Sequence, residues 1–253
     1  MTGAPSLPPF FRLVALDSID STNLEAARLA RASAPEGTLV WARAQTSGRG
    51  RRGRQWSSPR GNLYMSLLLR PAVRPAEAAG LGFLAAIALA EVLRDLLPPE
   101  HTIRCKWPND VLVDGAKIAG ILLEAEAMGE AAPALVLGIG VNVKSHPEGL
   151  AYAVTSLSAA GGTIRVEELL ERLAARLFHW YALWQRSGFA PIRERWLHFA
   201  IGLGEMVELR LEGQVVRGRF AALDPSGALL LELPDGGRRL VTAGDVFYPA
   251  PAA

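Results

Sequence analysis

Apolar positions along the chain switch between two periods, and the switches lay out the elements. After Asp20-Ser21-Thr22-Asn23, the residues Leu24, Ala27 and Leu29 recur at helical spacing, and Thr22 with Glu25 three residues on has the form of a capping box. Thr38 to Ala42 and Asn62 to Leu69 are apolar runs that predict strands, with a Gly/Arg-rich loop over Thr46 to Arg60 between them. The Ala-rich run from Glu77 to Leu97 predicts a helix that stops at Pro98-Pro99. Val111 to Glu124 reads as a hairpin, because Asp114-Gly115 supplies the positive φ of a tight turn. Leu135 to Val143 is a further apolar run, interrupted by Gly138 and Gly140. Leu169, Leu170, Leu173, Leu177, Tyr181 and Trp184 mark one face of an amphipathic helix.

Beyond Gly202 the pattern shortens. Met206 to Leu211, Val215 to Leu223, Ala228 to Leu233 and Arg238 to Val241 read as short strands parted by Asp-Pro-Ser-Gly and Pro-Asp-Gly-Gly turns. The expected organisation is an α+β domain over 1–200 followed by a small β-barrel over 201–253.

Composition narrows the class. The 253 residues are 50% hydrophobic and 21% charged, the balance of a packed protein. Ala78 to Ala90 is uncharged but well short of the roughly 20 residues that span a bilayer, so it reads as a buried helix. Met1 to Phe10 lacks the basic start and apolar core of a signal peptide, and Cys105 is the single cysteine. A reducing, cytoplasmic setting is expected. His101, His146, His179 and His198 show no metal-ligand spacing.

The net charge is only +2, and its distribution says more than the sum. Arg49, Arg51, Arg52 and Arg54 fall within one short stretch, and the remaining basic residues are outnumbered by the 25 acidic ones. A local excess of this kind suits a small anion better than a long polymer.

Four segments carry candidate chemistry. In Gln45-Thr-Ser-Gly-Arg-Gly-Arg-Arg-Gly-Arg-Gln-Trp56, glycines allow close backbone approach and the guanidinium forks match phosphate or carboxylate oxygens. A nucleic-acid arm or a solvated loop would read the same way, although a position between two core strands favours a site. Lys106-Trp107-Pro108-Asn109-Asp110 is a rigid turn that could simply start a strand. Lys117, flanked by Ala116, Ile118 and Ala119, either buries its stem beside a pocket or lies on a solvated face. Gly138-Ile-Gly140 marks close approach by a ligand or by another part of the chain, and the full dinucleotide fingerprint is absent. Ser21-Thr22-Asn23 caps a helix, and a helix start also receives anions and polar ligand heads.

In order and spacing these pieces closely resemble biotin protein ligases, the biotin–[acetyl-CoA-carboxylase] ligase family. The shared motifs are Asp-Ser-Thr-Asn, Gln-x-x-Gly-Arg-Gly-Arg-Arg-Gly-Arg-x-Trp, Asn-Leu-Tyr-x-Ser, Lys-Trp-Pro-Asn-Asp, Lys-Ile-Ala-Gly-Ile-Leu-x-Glu and Gly-Ile-Gly-x-Asn-Val, across roughly residues 10 to 250. The resemblance implies a mixed-sheet biotin/lipoate ligase-like catalytic domain with a C-terminal SH3-like β-barrel. It also implies a two-step reaction. Biotin and MgATP give biotinyl-5′-AMP and pyrophosphate, and a lysine of a biotin carboxyl carrier domain then captures the biotinyl group.

Residue by residue, the resemblance puts Ser21, Thr22 and Asn23 on the ureido ring of biotin. Gln45, Arg49, Gly50 and Arg51 would surround the carboxylate and phosphates, with Gly120, Gly138 and Gly140 lining the slot. Lys117, Arg51 and Asp110 would carry the catalysis, with Asp110 holding Mg²⁺. Trp56, Lys106, Asn109 and Asn142 would join Arg51, Asp110 and Lys117 around ATP. Carboxylate attack on the α-phosphorus brings two anions together, so fixed cations and a closing cover are needed. Residues 48–54 are therefore expected to be mobile until ligand binds.

Repressor-type members carry a winged helix-turn-helix ahead of these motifs, and here the motifs begin by residue 20. A monofunctional ligase that binds neither DNA nor membrane is the expectation, and a homodimer is one assembly the resemblance allows. Lys144 to Thr155 should cover the adenine without revealing which residues touch it. One rival is a lipoate ligase or octanoyltransferase of the same fold, for which Cys105 is the candidate nucleophile. The other is a non-enzymatic nucleic-acid-binding protein.

Overall fold

A seven-stranded mixed sheet forms the larger part of the molecule, in a computed structural model that describes residues 5–71, 78, 80–128, 131–211 and 214–247. The chain begins with strand β1 (Arg12–Leu16), helix α1 (Thr22–Arg31) and strand β2 (Thr38–Ala42), and β1 and β2 run parallel. Next come β3 (Leu63–Leu69), helix α2 (Gly80–Leu96), β4 (Ile103–Lys106), β5 (Asp110–Val113), β6 (Ala116–Met128) and β7 (Ala131–Val141). The order across the sheet is β1-β2-β3-β7-β6-β5-β4, antiparallel after the first pair.

Helices α3 (Val166–Ser187) and α4 (Ala190–Phe199) follow. A second, antiparallel sheet of five strands then forms from β8 (Met206–Leu211), β9 (Gln214–Leu223), β10 (Leu229–Glu232), β11 (Arg238–Val241) and β12 (Asp245–Phe247). The architecture is the α+β arrangement expected, a large mixed sheet followed by a small all-β unit. Among the described residues no helix is long and apolar enough to cross a membrane.

The two faces of the large sheet are covered unequally. Leu63, Met65, Leu67 and Leu69 of β3 point into the main core with Ile87, Leu89 and Leu93 of α2 and Leu170, Leu173 and Leu177 of α3. On the other face, Leu68 and Val136 meet Ala26, Ala27 and Ala30 of α1. A single short helix covers only part of that face. The uncovered part, where β6 and β7 carry glycine, is where a cavity opens.

Several expectations are met closely. Asp114 and Gly115 take φ of 49° and 80°, and the β5–β6 hairpin turns on them. Helix α2 ends before Pro98-Pro99, and its expected start at Glu77 lies outside the described residues. The capping box at Thr22 and Glu25 is not formed. Ser21 is the N-cap and makes no side-chain cap bond, while Glu25 pairs with Arg28 at 2.7 Å. The free N–H of Thr22 donates instead to Gln45 Oε1 at 2.8 Å. A side chain from outside the helix supplies the acceptor that the helix start requires.

Candidate active site

Helix α1 drives its N-terminus into the sheet, and the polar residues there are buried. Ser21, Thr22 and Asn23 are 1%, 4% and 6% exposed, and each must find hydrogen-bond partners. Thr22 Oγ1 donates to Gln45 Oε1 at 3.1 Å, and Gln45 Nε2 donates to Ser58 Oγ at 2.8 Å. Ser66 Oγ lies 2.6 Å from Asn23 Oδ1 and 2.8 Å from Thr22 Oγ1. The network therefore joins the helix start to β3 and to the segments on either side of the arginine loop.

Glycine makes the space. Gly138 and Gly140 pair with Leu122 and Gly120 across β6 and β7, so three positions on one face carry no side chain. A Cβ on Gly138 would stand 2.0 Å from Asn23 Oδ1, and one on Gly140 would stand 2.6 Å from Trp56 Nε1. Real Cβ atoms do not approach so closely, which gives these glycines a packing reason beyond backbone freedom. The result is a cavity of about 100 Å³ bordered by Thr22, Asn23, Gly120, Gly138, Gly140, Trp56 and Lys117.

The arginine loop forms the cavity's cover. Gly50 N donates to Arg54 O at 2.7 Å and Trp56 N to Gly48 O at 2.9 Å, so the loop is a narrow hairpin. Arg52 and Gly53 take φ of 55° and 72° at its tip. The arginines meet three anchors. Arg49 Nη2 lies 3.2 Å from Glu124 Oε1, and Arg51 Nη1 donates to Asn109 Oδ1 at 3.2 Å. Arg54 pairs with Asp245 of β12, and Arg52 lies 3.8 Å from the same carboxylate. Burial draws the Arg51 guanidinium below its ordinary range, opposed by the charges of Asp245 and Asp110.

Lys117 reaches the far end of the cavity from β6. Its ammonium is 2.7 Å from Asp110 Oδ1, and it stands over the rings of Trp56 at 5.4 Å and Tyr152 at 5.9 Å. The contact with Asp110 is one of charge, because Oδ1 is buried and has no aligned hydrogen bond. Trp56 Nε1 is a buried polar atom with no hydrogen-bond partner among the described residues, and it borders the cavity. A buried donor of this kind calls for an acceptor from an occupant of the cavity. A second hollow of about 110 Å³ beside Lys117 is lined by Trp56, Asn142, Leu150 and Tyr152. Asn142 itself is 2% exposed and donates to Thr155 O at 3.0 Å.

The sequence-derived residues separate into two groups. Ser21, Thr22, Asn23, Gln45, Arg49, Gly50, Arg51, Trp56, Asn109, Asp110, Lys117, Gly120, Gly138 and Gly140 all border the main cavity, and Asn142 borders its neighbour. Lys106 borders neither and holds its ammonium 5.5 Å over Phe247, where burial lowers its pKa against the opposing charge of Asp110. Tyr64, Tyr152 and Asp245 were not anticipated. Tyr64 lies within the Asn-Leu-Tyr-x-Ser motif, and burial pushes its phenol up to about 12, which keeps it neutral. Asp245 sits far along the chain in the second sheet, with no local pattern to mark it.

Comparison with known proteins places this geometry. The profile of the Biotin/lipoate A/B protein ligase family matches residues 15–142, and that of the Biotin protein ligase C terminal domain matches residues 202–248. A biotin–[acetyl-CoA-carboxylase] ligase of Paracoccus denitrificans is 41% identical over 90% of this chain and 97% of its own length. A bifunctional ligase/repressor of Bacillus subtilis is 36% identical over 91% of this chain and 72% of its own. Among solved structures, a biotin protein ligase of Aquifex aeolicus in complex with biotin and ATP superposes with a TM-score of 0.78 at 27% identity, covering 93% of this chain and 97% of that one.

Proposed function

Since the chain belongs to the biotin/lipoate A/B protein ligase family, we propose that it is an ATP-dependent ligase that activates biotin as biotinyl-5′-AMP and transfers it to a lysine of a biotin carboxyl carrier domain. The observation that carries this reading is the cavity: a glycine floor, a polar helix start at one end, Lys117 at the other and an arginine loop above. We assign the ureido ring to Ser21, Thr22 and Asn23, where buried hydroxyl and amide groups present donors and acceptors side by side. The fused rings and valeryl chain lie along Gly120, Gly138 and Gly140. The carboxylate then faces Lys117 and Arg51.

In the first step a biotin carboxylate oxygen attacks the α-phosphorus of ATP. The new oxygen–phosphorus bond forms as the bond to pyrophosphate breaks, and the released pyrophosphate carries the leaving electron pair. Lys117 and Arg51 offset the negative charge that gathers there, in a site whose enclosure strengthens each contact. Lys117 leaves Asp110 to do so, and the freed carboxylate is the group on this chain suited to Mg²⁺. Among the described residues no group of three or more His, Cys, Asp or Glu side chains could hold a metal ion, so Asp110 would hold Mg²⁺ with the help of ligands from outside the chain. Bound there, the ion would neutralise phosphate charge. In the second step the neutral amine of the carrier lysine attacks the acyl carbon, AMP leaves, and the amine's proton is lost to solvent.

The nucleotide ring is assigned to the hollow beside Trp56, Asn142 and Tyr152, with Asn109 and Lys106 nearer the phosphates and the second sheet. We place the domain boundary at 200/201, the catalytic domain over 1–200 and the barrel over 201–253. A cytoplasmic setting, with no DNA or membrane as partner, completes the proposal. The octanoyltransferase alternative needs an accessible thiolate. Cys105 is fully buried, and burial pushes its thiol well above the ordinary range.

Mass spectrometry of a carrier domain incubated with the protein, MgATP and either biotin or lipoate tests the reading. A single biotinyl addition is expected. Lipoyl addition without biotinyl addition would sink it.

A further inference from the structure

Glu124 lies outside the set of residues assigned above, yet its two carboxylate oxygens reach both halves of the site. Oε2 accepts a hydrogen bond from Asn23 Nδ2 at 2.8 Å, and Oε1 lies 3.2 Å from Arg49 Nη2. Asn23 belongs to the cavity floor and Arg49 to its cover. On the reading proposed above, we propose that Glu124 is a positioning residue, a latch that sets the orientation of the Asn23 amide and ties the arginine loop down over the activated intermediate.

The first half of the argument is hydrogen-bond polarity. The oxygen and nitrogen of a primary amide have nearly the same shape, and only their partners decide which way the group turns. At Asn23 the oxygen faces Ser66 Oγ at 2.6 Å, and the nitrogen faces Glu124. A hydroxyl is both donor and acceptor, so Ser66 tolerates either orientation. The carboxylate accepts only, which makes Glu124 the group that forbids the flip. An inverted amide would offer the ureido ring a donor where it now offers an acceptor.

The second half is charge. Arg49 is tied by a backbone bridge to Gln55 across the loop, so holding its guanidinium holds the hairpin. The neighbouring pair on the same face of β6 shows what a merely structural contact looks like. Glu126, two residues on, pairs with Arg31 of α1, and neither residue borders the cavity. Glu124 and Glu126 thus share strand, face and a helix neighbour, and differ in whether the carboxylate connects floor to cover.

Biotin KM, kcat and the fraction of biotinyl-adenylate lost to solvent per turnover separate the two halves, with thermal melting as a check on folding. Glu124→Gln keeps an acceptor for Asn23 but removes the charge that holds Arg49. Its KM should stay within about twofold of wild type while adenylate loss rises about threefold or more, the scale of a partly exposed ion pair. Glu124→Ala removes both contacts, so KM should rise about tenfold, as for a lost charge-assisted hydrogen bond, with the same leakage. Glu126→Gln should match wild type in all three quantities. Arg49→Ala should leak about as much as Glu124→Gln, and the double variant no more than either.

Wild-type KM and retention in Glu124→Ala would overturn the latch, as would equal changes in Glu126→Gln or a fall in kcat alone. If Glu124→Ala does not fold, additive leakage in the Glu124→Gln and Arg49→Ala pair has the same force. A wild-type protein that forms no adenylate overturns the underlying reading instead, a result distinct from normal turnover with indifferent Glu124 variants.

Discussion

The floor of the cavity and the loop above it are built from different materials. Much of the floor is buried and tied by neutral hydrogen bonds: Ser66 is 0% exposed and touches both Thr22 and Asn23, and Gln45 joins Thr22 to Ser58. The cover is held by ion pairs with solvent on one side, from Arg49 to Glu124 and from Arg52 and Arg54 to Asp245. Neutral networks in a dry interior fix positions closely, since every unmet partner costs the desolvation of a polar group. Exposed ion pairs hold weakly and exchange readily with water. A rigid floor can select a small neutral ring system, while a loosely pinned cover can open for substrates and for the amine of a carrier. Damage to the floor should therefore suppress formation of the adenylate, and damage to the cover should release an adenylate already made.

Lys117 is the strongest test of the first half of that contrast. It rises from the floor, and no second ammonium among the cavity-lining residues can take its place. Lys117→Ala should slow adenylate formation by at least about tenfold, roughly 1.4 kcal/mol or more of barrier, with melting little changed. Pyrophosphate release measured with biotin and MgATP checks it, and a wild-type rate would remove Lys117 from the chemistry.

Gly138→Ala strikes the floor without removing any functional group. The new Cβ would lie 2.0 Å from Asn23 Oδ1, so the amide must move. Overpacking of this kind costs about 1–3 kcal/mol, and the displacement falls on the ureido end of the slot. Biotin KM should rise about tenfold while adenylate, once formed, is retained as in wild type. Leakage equal to that of a cover variant would show that floor and cover are not separable.

The same contrast explains how much could be read from the sequence. Elements fixed by local chemistry were legible: Asp114-Gly115 turns its hairpin, Pro98-Pro99 ends α2, and the stripe from Leu169 to Trp184 becomes α3. So was most of the floor, because glycine in a strand and a polar helix start are unusual enough to stand out. Elements set by distant partners were not. β1 is five half-exposed residues whose strand character depends on pairing with β2, and α4 and β12 are equally short on periodic signal. The capping box failed for the same reason. Gln45, from the segment beyond β2, accepts from Thr22, and Glu25 pairs with Arg28. The contact of Lys106 with Phe247 of the second sheet is likewise a product of the fold that the motif around it does not carry. The anchors of the cover, Glu124 and Asp245, are acids whose importance lies wholly in what the fold sets opposite them.

Asp245 gives the smallest expected effect and the finest test of the comparison. It belongs to the second sheet yet borders the cavity and faces Arg52 and Arg54, so the small domain holds one side of the cover. Both arginines keep substantial contact with water, which limits the strength of the link. Asp245→Asn should raise adenylate loss by about two- to threefold at low ionic strength. Because screening already weakens exposed pairs, the difference from wild type should shrink toward nothing at about 0.5 M salt. Adenylate formation and biotin KM should not change. A loss that persisted at high salt would mean that Asp245 acts through packing and not through charge. A change in KM would mean that the second sheet shapes the floor, and the division between a neutral, buried base and an ionic, exposed lid would no longer describe the site.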